Sequence, residues 1–123
     1  MEKVVISCPR PSDYLRMYHL SNKERFTKWG FFKQVVLSPV VPGWDILVAK
    51  ANGDLAGFIF LRDRSIYRLC VNALHRGKGI GKKLIPSHAL FSETNRKDAV
   101  KFWEASGFRM VRESKGVWKF ERR

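Results

Sequence analysis

The chain has 123 residues, enough for one domain with a hydrophobic core but too few for two, so residues 1–123 are expected to form a single domain. Apolar residues make up 45% and charged residues 28%, a balance that excludes a disordered chain. No apolar run approaches the roughly 20 residues of a spanning helix, and no secretory pattern is present, so we expect no membrane partner and a cytoplasmic location.

The formal net charge of +13 is concentrated in the second half of the chain. Residues 1–61 carry 8 Lys and Arg against 5 Asp and Glu, whereas residues 62–123 carry 16 against 6. Such a field attracts phosphorylated ligands and polyanions, with a well-solvated surface as the alternative. A nucleic acid or another acidic partner therefore remains open.

The two cysteines, Cys8 and Cys70, lie far apart in the sequence. No CxxC pair and no Cys/His cluster at metal-ligand spacing accompanies them, so neither a disulfide framework nor a metal site is expected. We interpret both as buried thiols, because free cysteine is among the most buried residue types.

The N-terminal third predicts one strand and two helices. Residues 4–6 form a short extended run, and Ser12 and Asp13 can cap the helix that follows. A second helix is predicted after Ser21, where aromatic residues recur at helical spacing. We expect these rings in the core, although their interleaving with Lys and Arg also suits a nucleic-acid surface: Phe26, Trp29, Phe31, Phe32 and Trp44.

Three antiparallel strands are predicted next, over residues 45–50, 55–61 and 66–72. The first two are separated by Asn52-Gly53-Asp54, a strong hairpin signal because Asn and Gly tolerate positive φ values. A second turn at Asp63-Arg64-Ser65 leads into the third strand.

The last third alternates helices and strands. A short helix over residues 82–85 is broken by Pro86, a strand follows over residues 89–93, and residues 97–105 form a helix that ends before Gly107. Two final strands near residues 108–112 and 117–121 are joined by a turn. The predicted order is β, α, α, β, β, β, α, β, α, β, β.

The segment with the clearest chemistry is a strand that runs into a glycine-rich turn and then a helix. Gly77, Gly79 and Gly81 let backbone N–H groups converge without Cβ obstruction, and the start of a helix favours negative charge. This arrangement is typical of a pyrophosphate cradle. It matches neither GxxxxGK[ST] nor GxGxxG, so a P-loop and a Rossmann site are excluded.

The turn resembles the acyl-CoA signature of the GCN5-related N-acetyltransferases (GNAT), Arg/Gln-x-x-Gly-x-Gly/Ala, here Arg76-Gly77-Lys78-Gly79-Ile80-Gly81. Residues 99–108 also look like the family's fourth helix entering its sixth strand. The resemblance implies an α/β (α+β) fold with a mixed, mostly antiparallel sheet flanked by helices. Pro86 shortens the third helix relative to the family.

The resemblance implies acetyl-CoA (coenzyme A) as the cofactor. Backbone groups of Leu69 and Val71 would pair with the pantetheine arm, and Cys70 would be a neighbour rather than a nucleophile. Amides of residues 76–82 would hold the pyrophosphate, with lysines near the other phosphates. The implied cofactor-binding residues are Leu69, Cys70, Val71, Arg76, Gly77, Lys78, Gly79, Ile80, Gly81, Lys82 and Lys83.

Acetyl transfer to an amine also requires groups that move protons. Glu93 and His88 lie on or beside the predicted fifth strand and are candidate general bases, with solvated surface side chains as the alternative. The family often has a proton-donating tyrosine on its fourth helix, where Trp103 stands here. An indole cannot serve as that acid at neutral pH.

Two functions therefore remain. The first is an N-acetyltransferase that moves an acetyl group from acetyl-CoA to a primary amine, and the charge favours an acidic or nucleic-acid-linked acceptor. The second is a catalytically degenerate GNAT-fold module that binds nucleic acid or a protein partner. The sequence is compatible with a monomer or a homodimer.

Overall fold

The computed structural model describes residues 3–23, 44–94 and 96–122. The predicted second helix and the aromatic residues Phe26, Trp29, Phe31 and Phe32 lie outside the described residues, as does the side chain of Trp44. Helices and strands are numbered below in the order in which the described part of the chain presents them.

The described elements follow the predicted order. The strands are β1 Val4–Ser7, β2 Trp44–Ala51, β3 Asp54–Arg62, β4 Ser65–Val71, β5 Phe91–Thr94, β6 Phe108–Ser114 and β7 Val117–Arg122. The helices are α1 Pro11–Lys23, α2 Ile80–Leu84 and α3 Val100–Ala105, with short 3-10 turns at Ala73–His75 and Lys97–Ala99. The third predicted helix, here α2, is short as expected.

The seven strands form one sheet in the order β1-β2-β3-β4-β5-β7-β6. Neighbouring strands are antiparallel except for β4 and β5, which run parallel. The mixed, mostly antiparallel sheet flanked by helices is therefore confirmed.

Turn chemistry fixes the register of two hairpins. Asn52 and Gly53 join β2 to β3 with φ values of 52° and 89°, and Lys115 and Gly116 join β6 to β7 with φ values of 51° and 78°. Two-residue turns with both central φ values positive match the right-handed twist of antiparallel strands. Both predicted turns are confirmed.

A hydrophobic core lies on each face of the sheet. On one face, α2 and α3 bury side chains against Ile59 and Leu61 of β3, and we call this the α2–α3 face. On the other, Met17 of α1 packs against Phe58 and Phe60, and we call this the α1 face. The opposite directions of neighbouring β3 side chains follow from the two-residue period of a strand.

The first helix begins at Pro11, one residue before the predicted cap. Asp13 acts from inside the helix: its Oδ2 accepts the Arg10 backbone N–H at 2.7 Å, and its Oδ1 lies 3.2 Å from Lys50 Nζ on β2. Burial by itself raises the pKa of Asp13, but the Arg10 and Lys50 contacts outweigh burial and hold this pKa below its ordinary value.

Three predictions about local placement are wrong. Cys8 is exposed, because the chain leaves the edge strand β1 at Ser7, whereas Cys70 is buried as expected. The fifth strand starts at Phe91 rather than residue 89, because the Ala89 N–H turns back to the Pro86 carbonyl at 3.1 Å. The helix after the glycine-rich turn starts at Ile80 rather than Lys82, because Gly79 already acts as its N-cap.

None of the helices in residues 3–23, 44–94 and 96–122 is long and apolar enough to cross a membrane. Within the same residues, no group of three or more His, Cys, Asp or Glu side chains is arranged to hold a metal ion.

Candidate functional site

A cleft of about 860 Å³ opens where β4 and β5 separate. The register of the two parallel strands consists of one pair, Ser65 with Phe91, at the start of each strand. The Leu90 and Phe91 amides donate to the Arg64 carbonyl at 2.8 and 3.1 Å and close this end. Beyond that point the cleft is lined by residues 67–71 of β4 and by Glu93 and Thr94 of β5.

The glycine-rich turn forms one end of the cleft. Gly77 and Gly79 have φ values of 82° and 76°, in the left-handed region that favours glycine, and a Cβ at either position would meet no atom within 4 Å. Gly79 is the N-cap of α2, and its carbonyl accepts the Lys83 N–H at 3.1 Å. The turn is therefore open on the side where side chains would otherwise project.

The amides of this turn are largely unengaged. In the part of the chain that the structure describes, no protein acceptor is found for the N–H groups of Gly77 and residues 79–82. The first N–H groups of a helix have no partner within the helix, so these amides need an external acceptor. The Arg76 amide differs from the prediction, because it donates to the Ala73 carbonyl of the preceding 3-10 turn at 3.4 Å.

Gly81 has a different role from the other two glycines. A Cβ on Gly81 would lie 2.9 Å from Phe102 Cε1 and 3.4 Å from Val71 Cγ2, so its absence lets α3 pack directly against α2. A contact this short cannot form without displacement of the ring. The sequence motif does not reveal this packing role, because Phe102 lies 21 residues further along the chain.

Residues 69–71 of β4 lie at the cleft. Leu69 and Val71 are partly buried against the α2–α3 core and line the cleft. Cys70 is 2% exposed and packs into the α1-face core, which is consistent with a neighbour rather than a nucleophile.

Basic side chains surround the cleft, but not all of the predicted ones line it. Arg76 and Lys82 do, whereas Lys78 and Lys83 are exposed residues outside its lining. Three further residues line the cleft and were missed by sequence reasoning: Arg68, His75 and Arg96. Their positive charge was visible in the sequence, but their convergence depends on how β4 and β5 diverge.

The two candidate bases are separated. Glu93 is exposed and lines the cleft, opposite Lys119 in the β5–β7 register. His88 is exposed in the loop between α2 and β5 and is not among the residues that line the cleft. The structure therefore brings Glu93, but not His88, to the site.

Trp103 is a packing residue at the base of the cleft. It is 5% exposed, and its ring centroid lies 5.0 Å from that of Phe102 and 5.2 Å from that of Phe108, both in edge-to-face geometry. Such contacts stabilise the docking of α3 on the sheet. The indole N–H is a hydrogen-bond donor but not an acid at neutral pH, so Trp103 cannot protonate a leaving group.

A family model described as an acetyltransferase (GNAT) domain matches residues 42–110, more than half of the chain. The chain belongs to the GNAT acetyltransferase family. Membership makes it an acetyl-CoA-dependent acyltransferase, as the glycine-rich turn predicted. No curated protein sequence matches the chain significantly.

Solved GNAT structures share the fold over almost the whole chain. The PaiA N-acetyltransferase of Thermoplasma acidophilum, in complex with coenzyme A, is 19% identical, with 98% of this chain and 99% of that one covered and a TM-score of 0.74. An acetyltransferase of Thermus thermophilus is 16% identical, with 98% and 96% covered and a TM-score of 0.77. The ribosomal-protein-S18-alanine N-acetyltransferase of Escherichia coli is 15% identical, with 98% and 93% covered and a TM-score of 0.75.

The residues present fit the GNAT cofactor. The turn offers unengaged amides and open space above Gly77 and Gly79, where a side chain would otherwise compete with a phosphate. The cleft volume of about 860 Å³ lies within the range of sites that hold small-molecule ligands. Arg76 and Lys82 supply positive charge at the same end.

Proposed function

We propose that this chain transfers an acetyl group from acetyl-CoA to a primary amine, with the diphosphate held by the turn at residues 76–82. The observation that carries the proposal is the run of amides at residues 79–82, which have no protein acceptor among the described residues and belong to residues that line the cleft. N–H groups at the start of a helix favour an anion, because they carry partial positive charge and have no partner within the helix.

Charged side chains complete the phosphate site. Arg76 and Lys82 line the cleft beside the turn, and Lys78 and Lys83 lie next to them in the chain and reach into solvent. Arginine can bind phosphate oxygens in pairs, whereas lysine acts as a point charge. Arg76 and Lys82, which line the cleft, contribute to affinity. Lys78 and Lys83 contribute mainly through an electrostatic field that salt weakens.

The arm of the cofactor lies along β4. Because β4 and β5 join at Ser65 and Phe91 and then diverge, the β5-facing edge of Leu69 and Val71 borders the cleft. An extended chain can add to such an edge through backbone hydrogen bonds, as an added strand does. Leu69 and Val71 therefore orient the arm, and Cys70 points away into the α1-face core.

Glu93 is the group that receives the proton of the attacking amine, directly or through one water. It lies on β5, on the opposite side of the cleft from β4, and its carboxylate is open to the cleft. Acetyl-CoA, when bound, supplies an acetyl group that is already activated as a thioester. His88 is omitted from this role because it does not line the cleft.

The acceptor is a primary amine carried by an acidic or nucleic-acid-linked molecule. The support is the charge of +13, with 16 Lys and Arg against 6 Asp and Glu in residues 62–123. A field of this sign repels a basic peptide tail and attracts a polyanion. Aminoacyl-tRNA, a nucleobase amine and a nucleic-acid-bound protein are the candidates.

Calorimetric titration with acetyl-CoA tests the cofactor site. Gly79→Ala and Gly79→Glu impose the same positive-φ strain, but only the second adds a carboxylate above the turn. We expect Gly79→Glu to weaken binding about tenfold more than Gly79→Ala, because like charges repel at the phosphates. Gly81 is unsuitable, because any side chain there meets Phe102.

Equal affinities of the two Gly79 variants, or no binding by the wild type, would refute the cofactor assignment. Salt-sensitive affinity for RNA without affinity for acetyl-CoA would select the degenerate binding module instead. Turnover is measured as thiol release with aminoacyl-tRNA and, as the matched acceptor, a lysine-rich peptide. Faster release with the peptide would contradict the acidic acceptor.

A further inference from the structure

The described lining of the cleft contains three side-chain hydroxyl groups, and two of them are alkyl hydroxyls. Ser106, the C-cap of α3, donates from its Oγ to the Phe102 carbonyl at 2.8 Å. Thr94 Oγ1 accepts the Arg96 N–H at 3.1 Å. Alkyl hydroxyls are far weaker acids than a phenol, so neither suits proton donation to sulfur. The third hydroxyl is the phenol of Tyr67.

A bulge in β4 sets the position of Tyr67. The β3–β4 register pairs Leu61 with Ile66 and Phe60 with Arg68, so Tyr67 is the extra residue of the bulge. Bulges redirect a side chain relative to the regular strand. Tyr67 is 42% exposed and lines the cleft, although Ile66 and Cys70 of the same strand are buried.

Tyr67 and Glu93 line the cleft from opposite strands. Each lies two residues along the chain from the Ser65–Phe91 pair at which β4 and β5 diverge. The bulge removes Tyr67 from the regular alternation of β4, so its place in the lining of the cleft, and not the strand period, puts it at this end. This end of the cleft therefore presents a phenol from β4 and a carboxylate from β5.

Tyr67 lies where the reactive end of the cofactor is expected along β4, provided that the proposed function holds. The phosphate turn follows the C-terminal end of β4, and Tyr67 precedes Val71 by four residues, or about 13 Å at the rise of a strand. An arm that starts at the turn and runs back along β4 therefore brings its sulfur towards Tyr67.

We propose that Tyr67 is the catalytic acid of this chain and takes the place of the family's helix tyrosine, which is Trp103 here. As the amine nitrogen bonds to the acetyl carbon, the carbon–sulfur bond breaks and its electron pair stays on sulfur. Tyr67 gives its phenolic proton to that sulfur, which leaves as the CoA thiol. Glu93 accepts the amine proton and releases it to solvent, and solvent reprotonates the phenolate, so protons and charge balance.

A phenol is a suitable hydrogen-bond donor to a thiolate. Hydrogen bonds to an ionised acceptor are short and strong, so the phenol can share its proton with sulfur as negative charge develops there. The same hydrogen bond persists after the reaction, between Tyr67 and the thiolate form of CoA. It can therefore be measured at equilibrium, without knowledge of the acceptor.

The test compares the affinities of CoA and desulfo-CoA, which lacks the sulfur, by calorimetry at about pH 6.5 and about pH 9, on either side of the ordinary thiol pKa. In the wild type, the affinity ratio of CoA to desulfo-CoA should rise at least about fivefold between the two pH values, because the thiolate forms and accepts the phenolic hydrogen bond. Tyr67→Phe should abolish the rise. Tyr14→Phe, on α1 and packed against the α1-face core, is the matched control and should retain it.

Each outcome decides the question. A rise that survives in Tyr67→Phe, or a flat ratio in the wild type, overturns the role of Tyr67 and leaves the cofactor site standing. Failure of the wild type to bind either ligand overturns the proposed function as well. Titration of lysines affects both ligands equally and cancels in the ratio. Circular dichroism of both variants establishes that the fold is intact.

Discussion

The contact between Asp13 and Lys50 allows a stability prediction with a built-in control. Asp13 is 1% exposed and lies 3.2 Å from Lys50 Nζ, whereas the Arg96–Asp98 pair has the same 3.2 Å separation but side chains that are 48% and 72% exposed. Asp13→Asn and Asp98→Asn therefore remove one carboxylate charge each at equal distance. The two carboxylates differ mainly in burial, and the hydrogen bond from the Arg10 N–H to Asp13 can be kept by the oxygen of an asparagine side chain.

The expected magnitudes differ because solvent screens the exposed pair. Two unit charges at 3.2 Å attract by about 5 kcal/mol at an effective dielectric constant of about 20. Desolvation of the carboxylate offsets more than half of this, and we expect Asp13→Asn to lower the free energy of unfolding by about 2 kcal/mol. For Asp98→Asn we expect a change of about 0.5 kcal/mol or less.

The effect of Asp13→Asn should also depend on pH. Because the pKa of Asp13 is lowered in the folded state, its stabilisation is fully present above the unfolded value of 3.8 and is lost as pH falls through the folded pKa. At neutral pH, urea unfolding should show a midpoint about 1 M lower for Asp13→Asn than for the wild type. As pH falls below 3.8 and through the folded pKa, the two curves should progressively converge.

Equal midpoints for the Asp13 and Asp98 variants at neutral pH would refute the argument from burial. A deficit in Asp13→Asn that stays constant below pH 3.8 would show that the loss comes from packing rather than from charge.

Substitutions at three further positions test local features of the fold. Arg122→Ala removes hydrogen bonds to the Pro86 and Ser87 carbonyls at 2.7 and 3.1 Å and a contact with the Phe108 ring. In thermal denaturation, this variant should lower the free energy of unfolding by about 2 kcal/mol. Arg122→Lys should recover less than half of that loss. Gly53→Ala, at a φ of 89° in open space, should cost about 1 kcal/mol without changing the affinity for acetyl-CoA. Replacing a helical glycine by alanine usually raises the free energy of unfolding by about 1 kcal/mol. Gly81→Ala should not show this increase, because the new Cβ would meet the Phe102 ring. An increase of the usual size would show that the ring moves aside freely.

Local turn chemistry made much of the fold predictable. Asn52, Gly53 and Gly116 adopt the positive φ values that their residue types favour, Lys115 adopts one beside Gly116, and the glycine-rich turn is open above Gly77 and Gly79. Each of these features depends on a few consecutive residues. The sequence therefore contains the information in a form that can be recognised directly.

The features that sequence analysis missed depend on contacts between distant residues. The separation of β4 from β5 brings Tyr67, Arg68 and Arg96 to the cleft, and nothing in the local sequence of β4 indicates that separation. The exposure of Cys8 follows from its position beyond an edge strand. Strand order, not residue type, decided these placements.

The central claim, that amides of residues 79–82 receive the diphosphate, can be tested at those atoms by amide NMR. During titration with CoA, the resonances of Gly79, Ile80, Gly81 and Lys82 should shift most, and inorganic pyrophosphate should reproduce these shifts without affecting Leu69 and Val71. CoA binding that leaves the four amides unshifted would contradict the account.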